Sequence, residues 1–275
     1  MAVLIGHASI GDGNKSKGGL AGDQTGKEVC TRAWYDKGWD AVLRPKTSAL
    51  AENSARLCEI LCENENVGYD QNQRNSLWTT YKKTLQISPT VKVECDCSSL
   101  MTYCAILGGA NIVYGSNAPT TSTMVSKYKA SGNYEVLTDE KYLKNSDYLK
   151  RGDILVRESN PKIDKKGHTV MALTDGAKAN TSSYSKAVIT IPQATIKKGA
   201  KGDNVEQLQI ALNTLFACGL AVDGSFGTKT YNAVRNTQQT LKNAGLYTST
   251  VDGSFGPNNR KALVNYAMQK GYTVR

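Results

Sequence analysis

Only two histidines, His7 and His168, are available to serve seven cysteines, so thiol chemistry has few ways to assemble in this chain. The most informative stretch is VECDCSSLMTYCAIL, residues 93–107. After Cys97, the residues Leu100, Met101, Tyr103, Cys104, Ile106 and Leu107 are almost continuously apolar. That run predicts a buried helix with Cys97 at or just before its first turn. Unpaired backbone N–H groups and the positive end of the helix dipole favour a thiolate there, so the sequence predicts a lowered Cys97 pKa. A thiolate so placed is a nucleophile, and a nucleophile of this kind needs a base. His168 opens the strand-like run HTVMAL, residues 168–173, and RGDILV, residues 151–156, precedes it. A pair of strands could carry the imidazole to the thiol.

Asp96-Cys97-Ser98-Ser99 resembles the nucleophile motif of the NlpC-type and CHAP-type wall hydrolases, which share a papain-like fold. Their pattern is usually Asp-Cys-Ser-Gly, and Ser99 departs from it. RGDILV and then GHTVMAL resemble the family's Gly-Asp strand followed by its Gly-His strand, the latter carrying the catalytic imidazole. The resemblance implies a cysteine amidohydrolase with Cys97 as nucleophile, His168 as base and a polar third residue that orients the ring. Asn180 fits the family's third position by spacing. Asp175 is the alternative, although Asp175-Gly176 reads as a hairpin turn into a further short strand.

A rival thiol lies upstream. GDQTGKEVC, residues 22–30, places Gln24 ahead of Cys30, and in papain-like enzymes a Gln at about that distance supplies an oxyanion-hole donor. Cys30 lacks the Asp-Cys-Ser context, and TRAW follows it in place of a clean apolar helix. His7, Asp23 and Gln24 are candidates to line the cleft. Cys58 and Cys62 sit one turn apart on a helix read from Val42 to Cys62 on the spacing of Leu50, Leu57 and Leu61. With Cys95 and Cys97 they could form a four-thiolate zinc site, but the pairs lack tight Cys-x-x-Cys knuckles. Core packing is the preferred reading for Cys58, Cys62 and Cys104. No metal or cofactor is expected.

A seam follows the strand-like AVITI, residues 187–191, where PQATIKKGAK is short, polar and opens with Pro192. Beyond it VDGSFG occurs at 222–227 and again at 251–256. Asp-Gly suits a turn needing positive φ, and the Phe can be pinned in the core. Asp203 reads as a helix N-cap with Glu206 as its capping-box partner, and Val205, Leu208, Leu212 and Leu215 line one face. A second helix runs from near Thr228 to near Gly245. A third has Pro257 in its first turn and Gly271 as its stop. KGAKGDNVEQLQ, residues 198–209, followed by the two VDGSFG turns, resembles the helical peptidoglycan-binding domain at the ends of many wall hydrolases.

The expected architecture is therefore α+β. Residues 1–191 form a papain-like domain with helices on a small antiparallel sheet, 192–201 a linker, and 202–275 a three-helix peptidoglycan-binding domain. Taken together, the resemblances imply a phage endolysin-like peptidoglycan hydrolase, acting as an N-acetylmuramoyl-L-alanine amidase or as a stem-peptide or cross-bridge endopeptidase. The alternative is a non-catalytic wall-binding or phage structural protein on a degenerate hydrolase scaffold. No stretch approaches the ~20 apolar residues that span a bilayer. The N-terminus shows neither a basic start nor a small-residue cleavage site, so the expectation is synthesis in the cytoplasm without a signal peptide and action on the wall after release. An odd cysteine count rules out complete internal disulfide pairing.

The formal charge of +10 is spread over both halves: Lys197–Arg275 holds 10 basic and 4 acidic residues, and the first 196 residues hold 24 and 20. The polyanions this favours are the acidic polymers of a bacterial wall. Nucleic acid is not expected, since the chain has no zinc knuckle, basic helix or aromatic–basic ladder. Retention on isolated walls should weaken steeply between about 0.05 and 0.5 M salt as exposed charges are screened. Sedimentation with walls across that range tests the electrostatic part, and salt-independent retention would sink it.

Overall fold

The computed structural model describes residues 2–84, 87–179, 188–269 and 272–275, and the chain divides into two units, Met1–Asn180 and Thr181–Arg275. In the first, β1 (Leu4–Ala8), β2 (Val29–Ala33) and β3 (Ala41–Pro45) lead into α1 (Ser48–Cys62). Then follow β4 (Val67–Tyr69), α2 (Ser76–Thr84), β5 (Val93–Cys95) and α3 (Cys97–Leu107). The unit continues through α4 (Met124–Ala130), β6 (Tyr134–Leu137), α5 (Glu140–Leu143), β7 (Ile154–Arg157) and β8 (His168–Ala172).

Six of these strands form one antiparallel sheet in the order β2-β1-β8-β7-β3-β6, and β4 pairs with β5 in a separate parallel ribbon. Side chains alternate across the sheet. Ile5, Val42, Leu155, Val170 and Ala172 face one core with Trp39 and Leu149. On the other face a Cβ at Gly6 would overlap the Cys58 sulfur, so glycine there lets α1 approach β1 closely. The helices α1 and α3 pack on each other, and α3 lies on β8. Leu57, Leu61, Leu100 and Met101 are wholly buried in these helices. Each such side chain contributes roughly 1.5–3 kcal/mol by leaving water.

The helix read from Val42 starts later. Val42 and Leu43 lie in β3 between β6 and β7, where both are completely buried, and a two-sided strand is as apolar as a helix face. Pro45 closes that strand, and the Thr47 side chain accepts the Leu50 N–H to start α1. Nor does Asp175-Gly176 turn β8 into a hairpin. Both edges of β8 are already taken by β1 and β7, so the chain leaves the sheet and the Gly176 N–H donates to Leu149 O. The Asp of RGDILV has a clear structural duty: buried Asp153 receives the Arg44 guanidinium through Nε at 2.9 Å and Nη2 at 2.6 Å. Burial pushes the Asp153 carboxyl upward in spite of that partner, as expected of an ion pair taken out of water.

The second unit comprises β9 (Val188–Ile189), α6 (Asp203–Phe216), α7 (Thr228–Asn243), α8 (Pro257–Gln269) and β10 (Thr273–Val274). β9 pairs in parallel with β10, and Ile189, Ile191 and Ile196 pack with Leu208, Leu212, Phe226 and Phe255. Residues read as the end of the first domain and as linker thus pack into this core. The α6 N-cap is Gly202, with φ 101°, and Asp203 falls in the first turn instead, where its charge complements the helix dipole.

Both VDGSFG turns place their glycine at positive φ, 63° for Gly224 and 73° for Gly253, and both bury their phenylalanine. Each turn is clamped by a glutamine. The Gln209 amide donates to Asp223 Oδ1 at 2.8 Å and accepts the Asp223 and Gly224 N–H groups. In the second copy, Gln238 donates to Asp252 Oδ1 at 2.9 Å and accepts the Gly253 N–H at 2.8 Å. The repeat therefore reaches back into the helices, which sequence reasoning missed. Gln238→Ala should leave buried turn groups unsatisfied and cost about 1–3 kcal/mol. Hydrogen exchange of the α7 and α8 amides reads this directly, and unchanged protection would show the clamp to be dispensable.

Candidate active site

The sulfur of Cys97 is set by how α3 begins. Asp96 is the N-cap: its Oδ1 accepts the Ser99 N–H at 2.7 Å, while the Ser99 hydroxyl accepts the Asp96 N–H at 2.8 Å. Ser99, the departure from Asp-Cys-Ser-Gly, thus completes a capping box. Arg74 fixes the cap from outside, donating through Nε to Asp96 Oδ2 at 2.6 Å and through Nη2 to the Ser98 hydroxyl at 2.8 Å. Its Nη1 reaches Ala118 O at 3.0 Å, so a distant loop is tied to the same point.

Cys97 occupies the first helical position and is 7% exposed. Opposite it, β1 and β8 part. Their pairing runs through Ile5↔Ala172 and Gly6↔Met171. His7↔Val170 and Ala8↔Thr169 would continue that register but are not paired, and the Thr169 N–H instead favours the Cys97 thiolate. The thiol thus sits where two central strands diverge, against the residue that follows His168.

His168 turns its ring to the face occupied by Trp39. The ring stacks with Trp39 at 6.1 Å between centroids and with Tyr35 at 6.5 Å, and meets His7 edge-on at 5.9 Å. Trp39 donates its indole N–H to Tyr35 O, which ties the two aromatics together. His7 belongs to β1 and lies directly across from Cys30 on β2, with Nε2 3.5 Å from the Cys30 sulfur. Among the described residues, His168 Nε2 and His7 Nδ1 are buried without a hydrogen-bond partner. The site therefore contains two thiols and two imidazoles at one end of the sheet.

Burial dominates their protonation. It pushes the Cys97 thiol up to about 12, with the Asp96 carboxylate adding to the rise, against the Thr169 and Ser98 N–H groups and Arg74. The lowered pKa expected from the helix start is overturned: desolvation of a nearly inaccessible sulfur outweighs the helix end. Burial also lowers His168 to about 3, with His7, Lys37, Arg32 and Arg157 adding to the fall. His7 falls to about 4 through burial and Arg32, and burial raises the Cys30 thiol. At neutral pH all four groups rest uncharged.

The other sequence candidates lie elsewhere. Asp175 accepts the Arg151 N–H beyond the far end of β8 from His168, so it braces a turn. Asn180 lies outside the described residues. Gln24 donates its amide to Ala21 O and Gly22 O, and Asp23 accepts the Thr25 and Lys27 N–H groups, so both organise their own loop. Cys58 contacts the thiols of Cys104 and Cys62 in the α1–α3 core. Among the described residues no group of three or more His, Cys, Asp or Glu is arranged to hold a metal ion. Sequence reasoning missed Tyr35 and Trp39. The period-two series Val3, Ile5, His7 was the available sign that His7 points inward from a strand.

Residues 5–179 match the family model described as Endolysin-like domain, well over half of the chain, and the chain belongs to that family. Residues 201–240 match the model described as a peptidoglycan binding domain, which takes in the first VDGSFG turn. The pair gives an endolysin-like architecture, a cell-wall-related function and peptidoglycan as partner. No curated protein and no solved structure matches the chain. No helix among the described residues is long and apolar enough to cross a membrane.

Two buried, neutral imidazoles make the fold acid-sensitive. Below about pH 6.5 the unfolded chain takes up protons that the native one refuses until about 4 and 3, so acid favours unfolding. Their stabilising contribution is complete above pH 6.5 and shrinks as pH falls, by at most about 1.4 kcal/mol per pH unit for each ring. Thermal unfolding between pH 7 and 4 should show Tm falling, with a shallower slope in His168→Gln. Equal slopes would mean that the ring titrates normally.

Proposed function

We propose that this protein is a peptidoglycan hydrolase that cuts an amide bond through Cys97, with His168 as base, on a papain-like arrangement of helix and sheet. The observation that carries the reading is the Cys97 sulfur at the start of α3, close enough to the residue after His168 for the Thr169 N–H to favour its thiolate. The endolysin-like family and the peptidoglycan-binding match support the substrate.

In this mechanism the thiol and imidazole start neutral, and charge separates only as bonds change. The Cys97 proton passes to His168 as sulfur attacks the amide carbonyl. The tetrahedral intermediate collapses, the C–N bond breaks, and the imidazolium returns its proton to the leaving amine. Water, deprotonated by the same imidazole, then attacks the thioester and releases the acid and the thiol. Asn180 is proposed as the third residue that orients the ring. The reaction is that of an N-acetylmuramoyl-L-alanine amidase or a stem-peptide or cross-bridge endopeptidase, acting as an endolysin does after release to the wall.

A second reading has one direct observation in its favour. Cys30 and His7 are in contact at 3.5 Å, so that pair could supply nucleophile and base. Purified chain, Cys97→Ala and Cys30→Ala should each be added to isolated cell walls, with turbidity and fragment masses followed. Cys97→Ala is expected to bind without cutting, with a loss of at least about 10³-fold, while Cys30→Ala still clears the walls and the masses name the bond. The reverse pattern moves the chemistry to Cys30. Walls left intact by the unmodified chain would support the non-catalytic wall-binding alternative.

A further inference from the structure

Arg32, Lys37 and Arg157 stand around this site without an ion pair among the described residues, although Asp23 acts on Cys30 from the same end. Arg32 lies on β2, two residues from Cys30, and its guanidinium is held 4.6 Å over the Tyr35 ring. Tyr35 in turn stacks on His168. Among the described residues Arg32 has no acidic partner; it is exposed, with only a cation–π contact to hold it. Lys37 is likewise exposed and has no ion pair among the described residues. Arg157 sits directly across from His168 in the β7–β8 register and donates to Lys166 O.

The neighbouring carboxylates are committed elsewhere. Asp23 accepts backbone N–H groups of its own loop, and Asp36 accepts the Gly38 N–H. Asp40 binds Lys165 at 2.6 Å, and Asp164 binds Lys166 at 2.6 Å. Exposed arginine oriented by an aromatic ring is suited to take a planar carboxylate in a two-pronged bond.

Resting on the hydrolase reading, we infer that Arg32, held over Tyr35, is a specificity residue that receives a free carboxylate of the peptidoglycan stem peptide. Lys37 and Arg157 add field at the same place without needing contact. The site then favours stem peptides whose carboxylates are free over those whose carboxylates are amidated. Two sources share this chemistry, a carboxylate inside the stem on a γ-linked glutamate and the carboxyl terminus of the stem.

The test is binding and needs no cleavage. Full-length Cys97→Ala is titrated by calorimetry with three synthetic stem peptides: all carboxylates free, the internal one amidated, or the terminal one amidated. One amidation is expected to weaken binding by roughly 10–100-fold, as loss of a charge-assisted bond does, and to identify the source. Arg32→Gln in the same background should erase that difference, and Arg32→Lys should restore part of it. Equal affinity for all three peptides, or discrimination that survives Arg32→Gln, overturns the inference. Carboxylate discrimination through Arg32 in a chain whose unmodified form cuts no wall would retain this subsite and discard the hydrolytic reading alone.

Discussion

Asp96 accepts the Ser99 N–H and the Ser98 hydroxyl from the first turn of α3 and two nitrogens of Arg74 from outside it, so one carboxylate caps the helix and anchors a neighbouring segment. Remove that carboxylate and the helix loses its cap, and Arg74, which ties the loop at Ala118 to the site, keeps only the Ser98 hydroxyl as its hold on α3. The position of the Cys97 sulfur follows from these bonds, since a first-turn residue moves with its cap. The same carboxylate also opposes ionisation of the thiol beside it. Arg74 offsets part of this, so the geometry that places the Cys97 thiol also keeps it protonated.

Much of this was legible in local sequence, because a capped apolar helix and a strand opening with histidine are short-range patterns. Cys97 at a helix start and His168 at a strand start could be read from their immediate neighbours. The slot beside β8 could not. The pattern suggested a hairpin after Asp175, whereas β1, from the opposite end of the unit, takes the place and brings His7 with it. Strand order is a long-range property, and alternation in residues 3–7 does not name a partner. Val42–Pro45 failed for another reason: a strand buried on both faces carries no alternation at all. The Cys97 pKa was misjudged because burial, which dominates it, depends on what packs over the sulfur.

In the second unit the repeat was visible as VDGSFG, yet the physical unit is larger than the hexapeptide. A turn whose glycine has positive φ exposes N–H groups that no helix satisfies. Gln209 and Gln238 satisfy them from the preceding helices, and their amides also hold the aspartate of each turn. The family match ends at residue 240, before the second turn, but that turn has the same clamp and the same buried phenylalanine. Two copies of one solution, stacked through shared helices, leave the core closed at both ends.

Charge links the proposed carboxylate subsite to the proposed catalytic pair. Arg32 depresses both imidazoles, and Lys37 and Arg157 add to the effect on His168. Burial is the larger cause of their neutrality, and that field adds to it, so each imidazole rests as a weak base. In the proposed mechanism, a substrate carboxylate seated on Arg32 would cancel part of that field. On that mechanism, His168 would gain basicity to the extent that this negative charge outweighs the further desolvation of a covered ring, and the developing imidazolium would face a negative charge on the substrate side. On this reading, binding energy from a remote carboxylate is converted into proton affinity at the reacting centre, which would let a pair that rests uncharged support nucleophilic attack without a standing thiolate.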